Sequence, residues 1–207
     1  MIPSDEYMTI ESRSTSVFKD RGSKFIAIAS PAGSADEAME LIEEIRKEYH
    51  DARHHCYAYM IGTGDDTWRV NDDGEPSGSA GNPIMGQIKS FNITNVVIVV
   101  VRYFGGTLLG VGGLINAYRT SAKEALSSAV IIRGLIREKY LVEFPYTSMN
   151  SVMKIIKEEN IEQSNQKFEL DCSLVISIRK SAAERTKGQF EALDGVKCSL
   201  IIENADS

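Results

Sequence analysis

Three short segments concentrate the residues of this chain that could do chemistry. The first, His54–Ile61, reads HHCYAYMI and places two histidines beside a cysteine. The second, residues 72–81, reads DDGEPSGSAG and supplies three carboxylates within four positions. The third, residues 99–114, joins Arg102 and two aromatic residues to a glycine-rich stretch. These types and spacings could serve acid–base or nucleophilic catalysis, metal binding, or the binding of an anion.

An enzymatic interpretation places a small-molecule pocket between the first two segments. Asp73 or Glu75 would act as acid or base, and His54 or Cys56 would be the partner. Successive strand residues point to opposite faces, so only His54 can share a face with Cys56. The serines of the second segment lack the G-x-S-x-G context of a hydrolase nucleophile. A hydrolase-like enzyme is therefore an alternative hypothesis, with these four residues as its candidates.

Metal and cofactor sites are not predicted. A zinc site needs three or four convergent ligands, and the sequence has neither an HExxH motif nor a CxxC pair. An EF-hand centred on the second segment would require acids where Arg69 and Ala80 stand. A Walker A loop in the third segment would require Lys and Ser or Thr where Val111 and Gly112 stand. The three cysteines are consequently predicted to be core thiols.

The third segment is the best candidate for a binding site. Its β-branched run, residues 96–101, predicts a central strand buried on both faces. Apolar residues at helical spacing then predict a helix from near Gly112, whose first N–H groups could receive a phosphate or carboxylate. A cation beside two aromatics is typical of sites that stack bases. The predicted ligand- or anion-binding residues are Arg102, Tyr103, Gly105, Gly106, Gly110, Gly112, Gly113, Arg119 and Lys123.

Two alternatives for this segment stay open. The glycines could serve only the close packing of helix on strand. The aromatics could be core residues, with Arg102 paired to an aspartate of the acidic second segment.

Charge is distributed unevenly along the 207 residues. The net charge is −6, yet residues 76–137 hold six basic residues and one acidic residue. This positive stretch contains the whole third segment, which favours an anionic partner there. The longest apolar run is too short to span a membrane, and residues 1–5 lack the features of a signal peptide. We therefore expect a cytoplasmic protein without a membrane partner.

Periodicity predicts the elements that position these segments. In the first part, strands are predicted at 7–12, 16–19, 24–29, 54–61, 96–101 and 130–132, and helices at 35–50, 82–91 and 112–126. Residues 62–81 are predicted to form a long polar loop. Later elements are predicted at 139–144 (strand), 149–159 (helix), 161–168 and 170–178 (strands), 182–193 (helix) and 196–202 (strand). This ferredoxin-like βαββαβ order predicts an α+β protein with domains at 1–135 and 136–207.

In combination, the three segments resemble the IMPACT family, in particular its bacterial YigZ branch. The family motif residues are His54, His55, Cys56, Asp72, Asp73, Gly74, Glu75, Pro76, Gly78 and Gly81, together with the 99–106 and 109–114 stretches. The resemblance covers essentially the whole chain. It implies an N-terminal domain similar to the second domain of a small-ribosomal-subunit protein. It also implies a ferredoxin-like C-terminal domain similar to the fifth domain of elongation factor G.

The resemblance implies a role rather than a reaction. Eukaryotic members of the family regulate translation under stress, and the bacterial branch is associated with a proposed binding of nucleic acid or the ribosome. The leading hypothesis is therefore a non-enzymatic regulator of translation that binds RNA, the ribosome or a translation factor. The alternatives are the enzyme described above and a protein-interaction adaptor, which would expose an apolar patch on the second domain.

Overall fold

The computed structural model describes residues 5–63 and 67–201, and the chain divides into two compact units. The first unit is Tyr7–Gly134, and the second comprises residues 5–6 and 135–201. Within the described ranges, no helix combines the length and the apolar character needed to cross a membrane.

The first unit contains a five-stranded antiparallel sheet with helices on both faces. Its elements in chain order are β1 (Glu6–Ile10), β2 (Ser14–Asp20), β3 (Ser23–Pro31), α1 (Ala35–Glu48), β4 (His54–Ile61), β5 (Thr67–Asn71), α2 (Gly81–Ser90), β6 (Val96–Tyr103), α3 (Gly110–Ser128) and β7 (Ile131–Leu135). The strand order in the sheet is β2-β3-β6-β4-β5, and β1 pairs separately with β7.

Strand β6 lies at the centre of this sheet. Its β-branched run is fully buried because helices cover both of its faces. Even-numbered residues of the run pack with α2 and α3, and odd-numbered residues pack with α1. The predicted central strand is therefore confirmed.

Helix α1 begins where the sequence provides a cap. Ser34 Oγ accepts the Glu37 N–H at 3.1 Å, and Glu37 Oε2 accepts the Gly33 N–H at 2.7 Å. These bonds satisfy donors that the first turn of a helix leaves without partners. The predicted helix start is confirmed.

Two predictions for this unit were wrong in part. The predicted loop 62–81 contains β5, which pairs with β4. Three of the five β5 side chains are exposed, so this edge strand lacks the apolar alternation that reveals strands in sequence. Residues 64–66 of the predicted loop lie outside the described residues. Helix α3 begins at Gly110 rather than near Gly112, because glycine is a poor helix former and gives no sequence signal for a first turn.

The second unit is a four-stranded antiparallel sheet packed on two helices. Its elements are β8 (Arg137–Pro145), a 3-10 turn (Tyr146–Ser148), α4 (Met149–Glu158), β9 (Glu162–Lys167), β10 (Asp171–Arg179), α5 (Lys180–Glu191) and β11 (Lys197–Leu200). The strand order is β11-β8-β10-β9. Alternate residues of β8 and β10 are buried and pack against α4 and α5. The predicted ferredoxin-like arrangement is confirmed, and residue 202 of the last predicted strand lies outside the described residues.

Candidate anion-binding site

The three segments meet at one end of the five-stranded sheet. His54, which begins β4, is the register partner of Arg102 near the end of β6. Phe25 of β3 is the partner of Arg102 on its other side. The loop that precedes α2 reaches the same end, because His54 Nδ1 lies 2.8 Å from the Asp73 carbonyl oxygen. The structure thus brings His54, Asp73 and Arg102, one from each segment, to one end of the sheet.

Asp72 holds the loop 72–81 together. Its carboxylate accepts three backbone N–H groups, from Gly78 at 2.7 Å, Ala80 at 2.9 Å and Gly81 at 2.8 Å. Two of these donors lie at the start of α2, where a negative charge also interacts favourably with the helix dipole. Asp72 therefore has a structural role as the cap of α2.

Asp73 attaches the same loop to β4 and α1. One carboxylate oxygen accepts the His55 backbone N–H at 2.6 Å, and the other lies 3.4 Å from the Arg46 guanidinium. Its backbone has φ of +42°, and the Asp73 N–H is bonded to Asn71 Oδ1 at 2.7 Å. Both carboxylate oxygens are therefore engaged in contacts that fix the loop.

The His54 ring is held from one side by this loop. A neutral ring donates from Nδ1 to the Asp73 carbonyl oxygen and keeps Nε2 as its acceptor nitrogen. A Cβ atom at Gly74 would lie 3.6 Å from Nδ1, so the loop backbone packs directly on the imidazole. His55 makes a different contact, because its Nε2 lies 3.0 Å from the Tyr49 carbonyl oxygen.

Glu75 and Arg102 form a buried ion pair. Glu75 Oε1 accepts an Arg102 guanidinium N–H at 2.6 Å and the Tyr118 hydroxyl at 2.7 Å. The two charged side chains are only 4% and 7% exposed. Arg102 is therefore paired with the acidic segment, as the open alternative states, but its partner is Glu75 rather than an aspartate. Its charge is neutralised inside the protein instead of facing a phosphate.

Cys56 extends this buried cluster. Its Sγ lies 3.0 Å from the Asp72 carbonyl oxygen and 3.3 Å from the Tyr118 hydroxyl. Burial raises the pKa of the Cys56 thiol, and burial also raises the pKa of Tyr118. A cysteine nucleophile requires the thiolate. The structure therefore gives no support to Cys56 as the nucleophile of the enzymatic alternative.

Tyr103 and Gly105 fix the end of β6. The Tyr103 hydroxyl donates to the Asp51 carboxylate at 2.7 Å, and this bond raises the pKa of Tyr103 to about 12. Gly105 packs so closely on the turn between β2 and β3 that a Cβ atom would collide with the backbone of Gly22. Its N–H donates to Ser23 Oγ at 3.1 Å. Gly105 is thus a packing residue, but it packs on the turn between β2 and β3 and does not serve the packing of helix on strand that the first open alternative proposes for the glycines.

The start of α3 is exposed and has no side-chain cap. Its N-cap residue, Leu109, makes no capping bond, so the N–H groups of the first turn are available to a ligand. Gly106, which has φ of +84°, is also exposed, whereas Gly113 is half-buried. The exposed residues that continue from this start along one face of the helix are Gly112, Asn116, Arg119 and Lys123.

Tyr118 is not among the predicted site residues, and Phe104 was predicted only as one of the two aromatics beside Arg102 that could stack bases or belong to the core. Tyr118 belongs to the apolar stripe of α3, and only its hydroxyl, which needs a partner when buried, distinguishes it from the other members. Phe104 follows the central strand, where an aromatic residue normally indicates core. The structure leaves Phe104 51% exposed, with the Arg102 Cζ 5.6 Å from its ring centroid.

The adaptor hypothesis predicts exposed apolar residues on the second unit. Tyr146, Phe168 and Leu170 are exposed there. They lie near the connection between β9 and β10, where the Tyr146 N–H donates to the Leu170 carbonyl oxygen at 3.3 Å. These three residues lie at one end of the sheet, and Leu200 of β11 is also exposed.

Comparison with known proteins identifies the family. Residues 21–126, which include all three segments, match the Impact N-terminal domain family. The chain belongs to the IMPACT family. This membership confirms the resemblance seen in the sequence.

Bacterial IMPACT proteins match most of the chain. IMPACT family member YvyE of Bacillus subtilis is 35% identical over 152 residues, which are 73% of this chain and 70% of that protein. IMPACT family member YigZ of Escherichia coli is 34% identical over 144 residues, which are 69% of this chain and 71% of that protein. A crystal structure of a hypothetical protein superposes with a TM-score of 0.77 at 25% identity, over 97% of this chain and 99% of that one. The two-domain α+β fold is therefore shared.

Proposed function

We propose that this IMPACT family member is a cytoplasmic regulator of translation that binds RNA of the translation machinery. The family resemblance supports the biological role. The observation that carries RNA binding is the exposed face of α3, which leads from uncapped N–H groups to Arg119 and Lys123. Among the residues that the structure describes, neither of these two cations has an ion-pair partner.

The turn between β2 and β3 adds positive charge at the same end of α3. Ser14 Oγ and Ser16 Oγ donate to the carbonyl oxygens of Ala125 and Ser121, at 2.8 and 2.9 Å. Strand β2 therefore runs antiparallel along α3, toward the first turn of the helix. Arg21, in the turn that follows β2, is exposed. Contact between this turn and the segment that follows β6 keeps it beside the start of α3.

The proposed site uses the predicted residues in two different ways. The helix start, Arg119 and Lys123 contact phosphate groups. Arg102 and Tyr103 instead have a structural role in the site, because their polar groups are bonded to Glu75 and Asp51. Phosphate contacts of this kind release counterions, so the affinity should fall steeply with salt.

Removal of the two helix cations tests the proposal. Binding to a single-stranded oligoribonucleotide and cosedimentation with ribosomes are measured at several salt concentrations for the full chain and for Arg119→Ala/Lys123→Ala. We expect weaker binding at low salt, and a slope of log affinity against log salt that is less steep by about 1.4, or 0.7 per lost contact. The control, Lys154→Ala/Lys157→Ala on α4, removes the same charge from another surface.

Two results would contradict the proposal. The full chain could fail to bind RNA or ribosomes at low salt, or the α3 variant could bind with unchanged affinity and unchanged salt dependence. A loss of the same size in the α4 control would show that net charge, rather than this face of α3, determines binding.

A further inference from the structure

We propose that Phe104 is a stacking platform for one unpaired nucleobase, an inference that rests on the proposed RNA-binding function. Phe104 directly follows the buried central strand and is nevertheless 51% exposed. Its surroundings explain how the ring is held outside the core and what ligand it fits.

A buried cation supports the ring from the protein side. The Arg102 Cζ lies over the Phe104 ring at 5.6 Å from its centroid, and over the Phe25 ring at the same distance. Attraction between a guanidinium and an aromatic face holds such contacts together. Glu75 fixes the guanidinium through the 2.6 Å bond described above. Arg102 thus acts as a positioning residue for Phe104, and Glu75 acts through Arg102.

The backbone on each side of the ring is also fixed. Tyr103 is anchored through Asp51, and Gly105 through Ser23 and the close approach to Gly22. A side chain held in this way loses little conformational freedom on binding. Because Arg102 occupies one part of the ring surface, the exposed 51% of Phe104 is left for a ligand.

Positive charge near Phe104 favours a nucleobase, rather than an apolar protein side chain, as the ligand. Phe104 precedes, in the same connection, the uncapped start of α3, and the nearest turn carries Arg21. A planar base stacked on the ring brings its own phosphate to a surface that is positive and has free N–H groups. Leu108, in the same connection, and Val111, in the first turn of α3, are 82% and 53% exposed.

A tryptophan reporter tests stacking directly. The chain has one tryptophan, the exposed Trp68, so Trp68→Phe gives a background in which Phe104→Trp is the only indole. Titration with oligouridylate should quench this fluorescence, while the affinity stays within about twofold of the parent, because an indole stacks on bases as well as a phenyl ring does. In a series of oligouridylates that each lack one base at a different position, one member should quench the indole fluorescence less than the others.

Phe104→Ala gives the matching loss of function. We expect oligoribonucleotide binding to weaken roughly 5- to 150-fold, the range found for removal of one base-stacking aromatic, with an unchanged salt slope. Circular dichroism of the full chain verifies that this exposed substitution leaves the fold intact.

The outcomes separate this inference from the proposed function. If the full chain binds RNA and Phe104→Ala binds equally well, the platform is wrong and RNA binding stands. If the full chain does not bind RNA, both are wrong. If Phe104→Ala loses binding to a ribosomal protein but keeps its affinity for free RNA, the ring contacts protein and the inference is overturned.

Discussion

The two loops beside the candidate site, residues 72–81 and residues 104–109, are built in opposite ways. The first turns its charges inward, where Asp72 accepts three backbone N–H groups and Glu75 is buried against Arg102. The second turns its side chains outward, and its exposed members include Phe104 and Leu108. The first loop therefore belongs to the framework of the unit, and the second offers groups to a partner.

This difference shows that residue type alone is a poor guide to role in the acidic segment. Three carboxylates within four positions resemble an acid–base or metal site. In the structure, each of the three carboxylates accepts hydrogen bonds from other groups of the same protein. Among the described residues, no group of His, Cys, Asp and Glu that could bind a metal ion is found. The contacts of a carboxylate, rather than its presence in a motif, decide what it does.

The buried ion pair gives the largest expected effect. Glu75→Gln keeps the size and one acceptor oxygen of the side chain but leaves the Arg102 charge without compensation. Breaking a buried pair in this way typically costs about 3 to 5 kcal/mol, so the free energy of unfolding in urea should fall by that amount. The matched substitution Glu124→Gln, on the exposed side of α3, should change it by less than about 0.5 kcal/mol. A loss below about 1 kcal/mol for Glu75→Gln would show that this loop is not part of the framework.

The outer loop, residues 104–109, should be sensitive to substitution at Gly105. Gly105→Ala would force a Cβ atom into the backbone of Gly22, and we expect it to destabilise the protein by roughly 1 to 3 kcal/mol, the usual cost of overpacking. Gly112→Ala is the control, because nothing lies within 4 Å of its added Cβ. That substitution, in the first turn of α3, should be neutral or raise stability by up to about 1 kcal/mol. Thermal denaturation compares the two variants. Equal effects on stability would contradict the conclusion that close packing requires a glycine at position 105.

Much of this fold could be predicted because its elements carry strong local signals. The β-branched run of β6 and the capping residue Ser34 each specify an element without reference to the rest of the chain. β5 could not be found in the same way, because an exposed edge strand needs no apolar alternation and is stabilised by its bonds to β4. The first turn of α3 was missed because its glycines favour no single conformation.

The candidate site could be located from sequence but not understood from it. The three segments were recognisable as a group, and the structure places them together. Which carboxylate pairs with Arg102 depends on the path of the loop, which starts from the missed strand β5. The exposure of Phe104 depends on packing between parts of the chain that are distant in sequence, such as Gly22 and Gly105, and no local pattern records such a contact.

Removal of the hydrogen bond between Tyr103 and Asp51 has the smallest expected effect on stability. The pH dependence of that effect identifies the bond as its cause. The bond raises the pKa of Tyr103 to about 12, and it lowers the pKa of Asp51. A raised tyrosine pKa adds stability that is present below the ordinary value near 10 and is lost as pH rises toward 12. A lowered aspartate pKa adds stability that is lost as pH falls below the ordinary value near 4. Tyr103→Phe should therefore be slightly less stable than the parent between about pH 4 and pH 10, and this difference should shrink as the pH falls below 4 or rises from 10 toward 12.

Urea denaturation of the parent and of Tyr103→Phe at pH 3, 7 and 11.5 measures this difference. Tyr118 and Tyr140, whose pKa values burial also raises, are present in both proteins, so their titration cancels. A gap that is the same at all three pH values would show that the loss does not come from this bond. A difference in the free energy of unfolding as large as that expected for Glu75→Gln would instead show that the end of β6 belongs to the framework of the unit. The contrast between the two loops would then not include the bond between Tyr103 and Asp51.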